Sequence, residues 1–439
     1  MRVWVFYIYE PVPQIDLEDT SFRNGEICRR LVDAGHEVLW WNSTFLHFTK
    51  RQRFSESTTC RISNQYSVRF VHGPGYRKNV SLGRVWHNRI VASAMAKELA
   101  QRKETPDLMY VGIPCLEVAD VVARSAVMRG VPLIVDAHDC WPDLYLRLFP
   151  RFLQFAGRVL MSTEFRRVKR ICQAANGFTA VSASYLKWAL GYAGRPAGPA
   201  DSVFPLGYRA GRLLADSEAQ TRFRDLQVKH GLPSDAFMLI FVGTFGASYD
   251  LETVVAAARE FSDRGDRGIH FVLVGTGDKF RDIQSATADL GNVTITGWLN
   301  KEDIWVLMQR AKVGLASYAP GATQSLPYKP FQYMAAGLPI LSSLPGELEA
   351  LLRETGVGRQ CQAGSVRSLV EQIVWFREHS EDREAMSENA RRVFRESFDM
   401  DVIYPRLVRH FERVVSQFEA RRSAHLAHQG PAVVGGPRA

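Results

Sequence analysis

The residues best placed to do chemistry lie in one stretch of the C-terminal half, from Gly321 to Ile340. An apolar run, Val313 to Tyr318, precedes it and another, Leu338 to Ser343, follows, so the order is strand, loop, short helix, strand. Pro327 and Pro330 suit a loop turning into a first helical turn, and Gly337 with Pro339 stops that helix. Lys329 then stands where a helix N-terminus points its N–H groups, a layout that binds phosphate. The same spacing also fits a structural βαβ crossover carrying a surface lysine.

A second constellation follows the apolar run that starts at Pro132 and places Asp136, His138, Asp139 and Asp143 at a strand end, too polar a group for a core. A histidine flanked by carboxylates can orient a sugar hydroxyl or share a proton. A helix N-cap built from Asp139, with a surface histidine beside it, is the plainer alternative. Three further strand ends carry glycine: Gly243, Thr244, Phe245 and Gly246; Gly275 with Gly277; and Gly297 before Trp298. Glycine lets backbone N–H groups approach a phosphate, although each of these is also a common tight turn. None is the G-x-G-x-x-G of a hydride-transfer dinucleotide site. Trp298 either covers a nucleobase or fills the core.

These residues need two alternating series of strands and helices to position them. Arg2 to Tyr9, Phe22 to Ala34 and the strand after Gly35 make a βαβ opening, hence a parallel sheet. A second series begins at Phe237, and the polar run Asp216 to Lys229 reads as the passage between the two. The expected organisation is an α/β chain of two Rossmann-like, doubly wound domains facing across a cleft. Residues 1–205 form the first, 206–400 the second, 401–422 a helix returning to the first, and 423–439 a disordered tail. Ligands of such sheets bind beyond the carboxyl ends of the strands, which is where the candidate residues fall.

Composition agrees with a well-cored protein, at 46% hydrophobic and 23% charged residues over 439 positions. No apolar run reaches the ~18 residues of a membrane span, and the first residues lack the pattern of a signal peptide, so a cytoplasmic location is expected. Six scattered cysteines without a C-x-x-C pair read as reduced thiols. A net charge of +9 favours anionic partners. The basic residues are not interleaved with stacking aromatics in a nucleic-acid module, so nucleic acid is not expected. Between Arg147 and Arg170, however, basic residues alternate with Phe149, Phe152, Phe155 and Leu160, as in a segment that lies on anionic lipid or in an ordinary solvated helix.

Taken together, Phe241 to Gly246, Leu273 to Asp278, Val293 to Gly297 and Lys329 to Ile340 resemble the nucleotide-sugar half of retaining glycosyltransferases of family 4. Gly35 to Val38 and the Asp139 to Asp143 block are similar to members that build bacterial surface polysaccharides. The resemblance implies a GT-B fold and sugar transfer from a nucleoside diphosphate donor, with retention and without metal or other cofactor. The expected acceptor is a glycan or a polyprenyl-linked sugar, and the basic stretch from Arg147 to Arg170 would let the first lobe lean on the inner membrane surface to receive it. The resemblance puts the donor on Gly243, Thr244, Phe245, Gly246, Gly275, Gly297, Trp298, Gln324, Ser325, Leu326, Lys329 and Gln332, with His138 and Lys329 catalytic and Asp136, Asp139 and Asp143 on the acceptor side. The chain departs from the pattern at Gln324 and Gln332, where the family carries glutamates, and at Thr244 and Tyr249, near its usual Arg and Lys. An amide keeps one acceptor oxygen but loses charge-assisted bonds that are roughly twice as strong. Two rivals follow: a non-catalytic GT-B subunit supporting an active partner, and a nucleotide-sugar epimerase or hydrolase of the same fold.

Overall fold

The computed structural model describes residues 1–16, 22–146, 149–210 and 215–428. They form two compact units, one of Met1–Phe204 completed by the chain from Tyr404 onward, the other Pro205–Ile403. The division therefore falls inside the last helix, Met400–His428, as well as before Pro205.

The first unit is built on an eight-stranded sheet. Its order is Ser202–Val203, Gly177–Ala180, Leu133–Ala137, Leu108–Ile113, Arg2–Phe6, Glu37–Ser43, Tyr66–Val71 and Thr58–Arg61. All pairings are parallel except the last. Leu108–Ile113 and Leu133–Ala137 are buried throughout, as continuous apolar strands must be when helices cover both faces of a sheet. The outer two strands, Tyr66–Val71 and Thr58–Arg61, were not anticipated; the alternating burial of Tyr66, Val68 and Phe70 was their signal.

The second unit has a six-stranded, wholly parallel sheet in the order Val293–Gly297, Ile269–Val274, Phe237–Val242, Val313–Ala316, Ile340–Ser342 and Gly358–Gln360. Counted from Phe237–Val242, this is the 3-2-1-4-5-6 arrangement of dinucleotide-binding domains. The polar run expected to be a passage is instead a helix, Asp216–His230, that buries Leu226 in this unit's core. Its weak periodicity had hidden it.

The last helix begins where Asp399 Oδ1 accepts the Asp401 N–H at 2.8 Å. It continues past Arg422 to His428, beyond the limit set by composition. Of the expected tail, residues 429–439 lie outside the described part. Within the first unit its Phe411 ring lies 5.2 Å from Tyr110, and Glu412 accepts from His36 Nε2 at 3.0 Å. Among the described residues no helix is long and apolar enough to cross a membrane.

Candidate functional site

In the second unit the strands Phe237–Val242 and Val313–Ala316 are neighbours, and the chain winds away from them in opposite directions. Such a switch point leaves a crevice at the carboxyl ends of the strands. The two loops leaving these strands are zipped together: Ala319 N–H donates to Ser248 O at 3.0 Å and Ser317 Oγ to Asp250 O at 2.9 Å. This brings Tyr249 beside Tyr318, their ring centroids 5.2 Å apart.

Lys329 enters from the first turn of the helix Tyr328–Ala336 and is only 8% exposed. Its Nζ lies 3.9 Å from the Phe241 ring centroid and 3.3 Å from that of Tyr249. Among the described residues it has no hydrogen-bond acceptor. Ring faces attract a cation but replace only part of its hydration, so burial pushes the ammonium well below the usual lysine range. The same Nζ presses on Gly243, where any Cβ would overlap it and where φ is 149°. A Cβ at Gly275 would in turn overlap the Gly243 carbonyl. The helix Tyr328–Ala336 has no side-chain cap, and with prolines at 327 and 330 its first turn carries amides only at Tyr328 and Lys329. A buried cation at a helix N-terminus, beside a glycine that leaves it room, is a diphosphate-binding arrangement.

The glycine loop contributes less than its sequence suggested. The Gly243 N–H is bonded to Val274 O, that of Phe245 to Thr276 O and that of Gly246 to Thr244 O, so three of the four expected amides already have partners. Phe245 is fully buried, its ring 6.1 Å from Phe241, and its side chain belongs to the core rather than to a ligand. Thr244 is exposed. Gly275 N–H donates to Gly297 O, tying the next two strand ends together. Beyond them Trp298 is 76% exposed, which rules out a core role and leaves an aromatic face for stacking.

Gln324 keeps a buried Oε1 that has no donor among the described residues. Gln332 bonds the Tyr208 hydroxyl, and Tyr208 lies 5.3 Å from Tyr328. Leu326 packs half-buried against the core, so its side chain serves packing rather than ligand contact, while Ser325 is half-buried.

In the first unit Asp136 is fully buried, which corrects its placement on the acceptor side. Arg23 grips it through Nε at 2.7 Å and Nη2 at 3.0 Å, Thr179 donates at 2.6 Å, and Tyr110 and the His138 ring complete the shell. Burial raises the cost of its charge, but Arg23 and His138 together hold the carboxyl well below the usual range. An ionised carboxylate only accepts, so His138 Nε2 carries a hydrogen and Nδ1 is the ring nitrogen left facing away from Asp136. Asp136 is thus a positioning residue for His138, whose ring packs 5.1 Å from Tyr7. Asp143 is also committed, accepting from Trp188 Nε1 at 2.8 Å and the Tyr192 hydroxyl at 2.7 Å. Among the described residues Asp139 accepts from the Cys140 N–H and caps no helix turn; burial raises its pKa. Of the basic amphipathic segment, Arg147 and Leu148 lie outside the described residues, while Phe152, Phe155 and Leu160 are 83%, 80% and 76% exposed.

With this geometry in place, comparison with known proteins is informative. Residues 222–393 match the family described as Glycosyl transferases group 1. Over 195 residues the chain is 25% identical to alpha-D-kanosaminyltransferase of Streptomyces kanamyceticus, covering 44% of this chain and 49% of that protein. It therefore spans about half the length of that curated relative. Sucrose-phosphate synthase from Thermosynechococcus elongatus superposes with a TM-score of 0.69 at 15% identity, covering 95% of this chain and 99% of that one. The Anabaena protein HepE, solved in complex with UDP, gives 0.64 at 14%, covering 94% and 99%. WaaG, described as a glycosyltransferase involved in lipopolysaccharide biosynthesis, gives 0.61 at 14%, covering 93% and 98%. The fold is that of the GT-B glycosyltransferases, with two Rossmann-like domains.

Proposed function

We propose that the protein transfers a sugar from a nucleoside diphosphate donor to a glycan or lipid-linked acceptor, with retention at the anomeric carbon. The observation that carries this reading is Lys329, a buried ammonium facing two rings and Gly243 at the switch point, with no acceptor of its own among the described residues. A diphosphate would supply the missing counter-charge, and Trp298 a face for the base. Leaving-group charge would be met by that ammonium and the helix N-terminus, so activity should survive EDTA. His138 would offer Nδ1 to a sugar hydroxyl. Support comes from the family match over residues 222–393 and from HepE, a structural neighbour solved with UDP.

The setting we favour is bacterial surface-polysaccharide assembly on the cytoplasmic side of the inner membrane, with Phe152, Phe155 and Leu160 among basic residues touching lipid. Flotation with liposomes that differ only in acidic lipid checks this contact, and equal recovery would count against it. The central test is calorimetry with UDP, GDP and their glucose conjugates. Binding of at least one, weakened in Lys329→Ala, is expected; a wild type that binds none would favour the non-catalytic subunit. Donor consumption without acceptor would favour the epimerase or hydrolase.

A further inference from the structure

Residues 38–97 contain ten lysines and arginines and a single acid, Glu56, a surplus equal to the whole chain's net charge of +9. Part of that surplus is neutralised, Arg53 by Asp16 at 2.7 Å and Arg69 by Glu98 at 2.8 Å. Lys50 and Arg84 are not. Lys50 Nζ donates to His47 O and to Asn79 Oδ1, both at 2.5 Å, and Arg84 donates to Asn79 O at 3.0 Å and to the Tyr9 hydroxyl at 3.3 Å. One residue, Asn79, thus holds two cations side by side, and among the described residues neither forms an ion pair. Asp139 feels the field of Arg84 without pairing with it. Burial and Arg84 together push Lys50 down, and burial with both cations pushes His47 to about 4. Like charges fixed together without a counter-ion raise the energy of the free protein, and an anion placed between them lowers it.

We infer that Lys50 and Arg84 form an anion site for a phosphate or diphosphate group carried by the acceptor, an inference that takes the word acceptor from the transfer reading above. A single carboxylate is better served by one planar guanidinium in a two-pronged bond, whereas two separately mounted cations suit the spread charge of phosphate oxygens. A row of rings joins this pair to His138. Tyr7 lies 5.1 Å from His138, Tyr9 6.0 Å from Tyr7, and His47 5.1 Å from Tyr9, with the Arg84 guanidinium 4.5 Å over Tyr9. Tyr9 is buried beneath Arg84, whereas Phe48, 5.7 Å from His47, is 61% exposed, so the remainder of the ligand would lie along Phe48 with its anionic end at Lys50 and Arg84.

Calorimetry on the full chain pre-saturated with UDP tests this, using geranyl diphosphate, inorganic pyrophosphate and glucose 1-phosphate as probes. At least one probe should bind, and Lys50→Gln or Arg84→Gln should weaken it by about tenfold each, the scale of one charge-assisted bond. Lys50→Arg and Arg84→Lys should retain most of the affinity, which shows that a loss in the glutamine variants is not misfolding. Preference for geranyl diphosphate assigns the anion to a lipid carrier, and equal binding of pyrophosphate assigns it to phosphate alone. Either supports the site. No binding by any probe, or equal binding by the glutamine variants, overturns it. Failure of UDP itself to bind, with geranyl diphosphate still responding to Lys50→Gln, would sink the transfer reading and leave the anion site standing.

Discussion

Two buried sites at strand ends, one in each unit, handle charge in opposite ways. At the end of Leu133–Ala137 the buried Asp136 is met by Arg23, Thr179, Tyr110 and His138, so every charge there has a partner within the protein. At the end of Phe237–Val242 the buried Lys329 faces two rings and Gly243 and has no hydrogen-bond acceptor among the described residues. The first arrangement is finished without a ligand and fixes a histidine in one orientation. The second is unfinished, and what would complete it is an anion. A satisfied buried network contributes rigidity, whereas an unsatisfied one stores a cost that a ligand relieves.

That contrast predicts substitutions of opposite sign. The largest effect belongs to Asp136→Ala, which strands the Arg23 guanidinium and should cost about 3–5 kcal/mol in urea unfolding. A variant that melts like wild type would mean the network is not holding the fold. Lys329→Met should do the reverse to the free protein, leaving stability unchanged or raising it by about 1 kcal/mol, while lowering nucleotide affinity by about tenfold or more. Destabilisation of the free protein by Lys329→Met would erase the difference between the two sites. Gly243→Ala forces Lys329 aside at a cost of about 1–3 kcal/mol, and should weaken nucleotide binding more than it lowers the melting temperature. The smallest effect is on pH. Burial depresses the Lys329 pKa in the folded protein, so above that value and up to the ordinary lysine value of 10.5 the unfolded chain holds a proton that the folded chain lacks. Stability from this residue therefore rises with pH across the window, and Lys329→Met should flatten the rise. A bound diphosphate favours the protonated amine that burial disfavours, so binding raises the Lys329 pKa, and calorimetry within this pH window in buffers of different ionisation enthalpy should show proton uptake that disappears in Lys329→Met.

Much of this was legible in the sequence because it is local. The apolar runs, the glycines at strand ends and the Pro327-to-Gly337 helix are written in neighbouring residues, and the structure has strands and a helix at those places. Partners far apart in the chain were not legible. Nothing near Asp136 points to Arg23, 113 positions away, and nothing near Lys329 points to Phe241. The glycine loop misled for a related reason: residue type shows that amides can approach a ligand, but not that Val274 O and Thr276 O already occupy them. The basic surplus of residues 38–97 was readable all along, hidden in an average taken over the whole chain.

The seam inside the last helix has a consequence for how the chain is made. The first unit takes Tyr404, His410 and Phe411 from the end of the polypeptide, with His410 Nε2 at 3.2 Å from Ala200 O. During synthesis the second unit is complete in sequence before the first receives these residues, so the part that leaves the ribosome earliest is the last to be sealed.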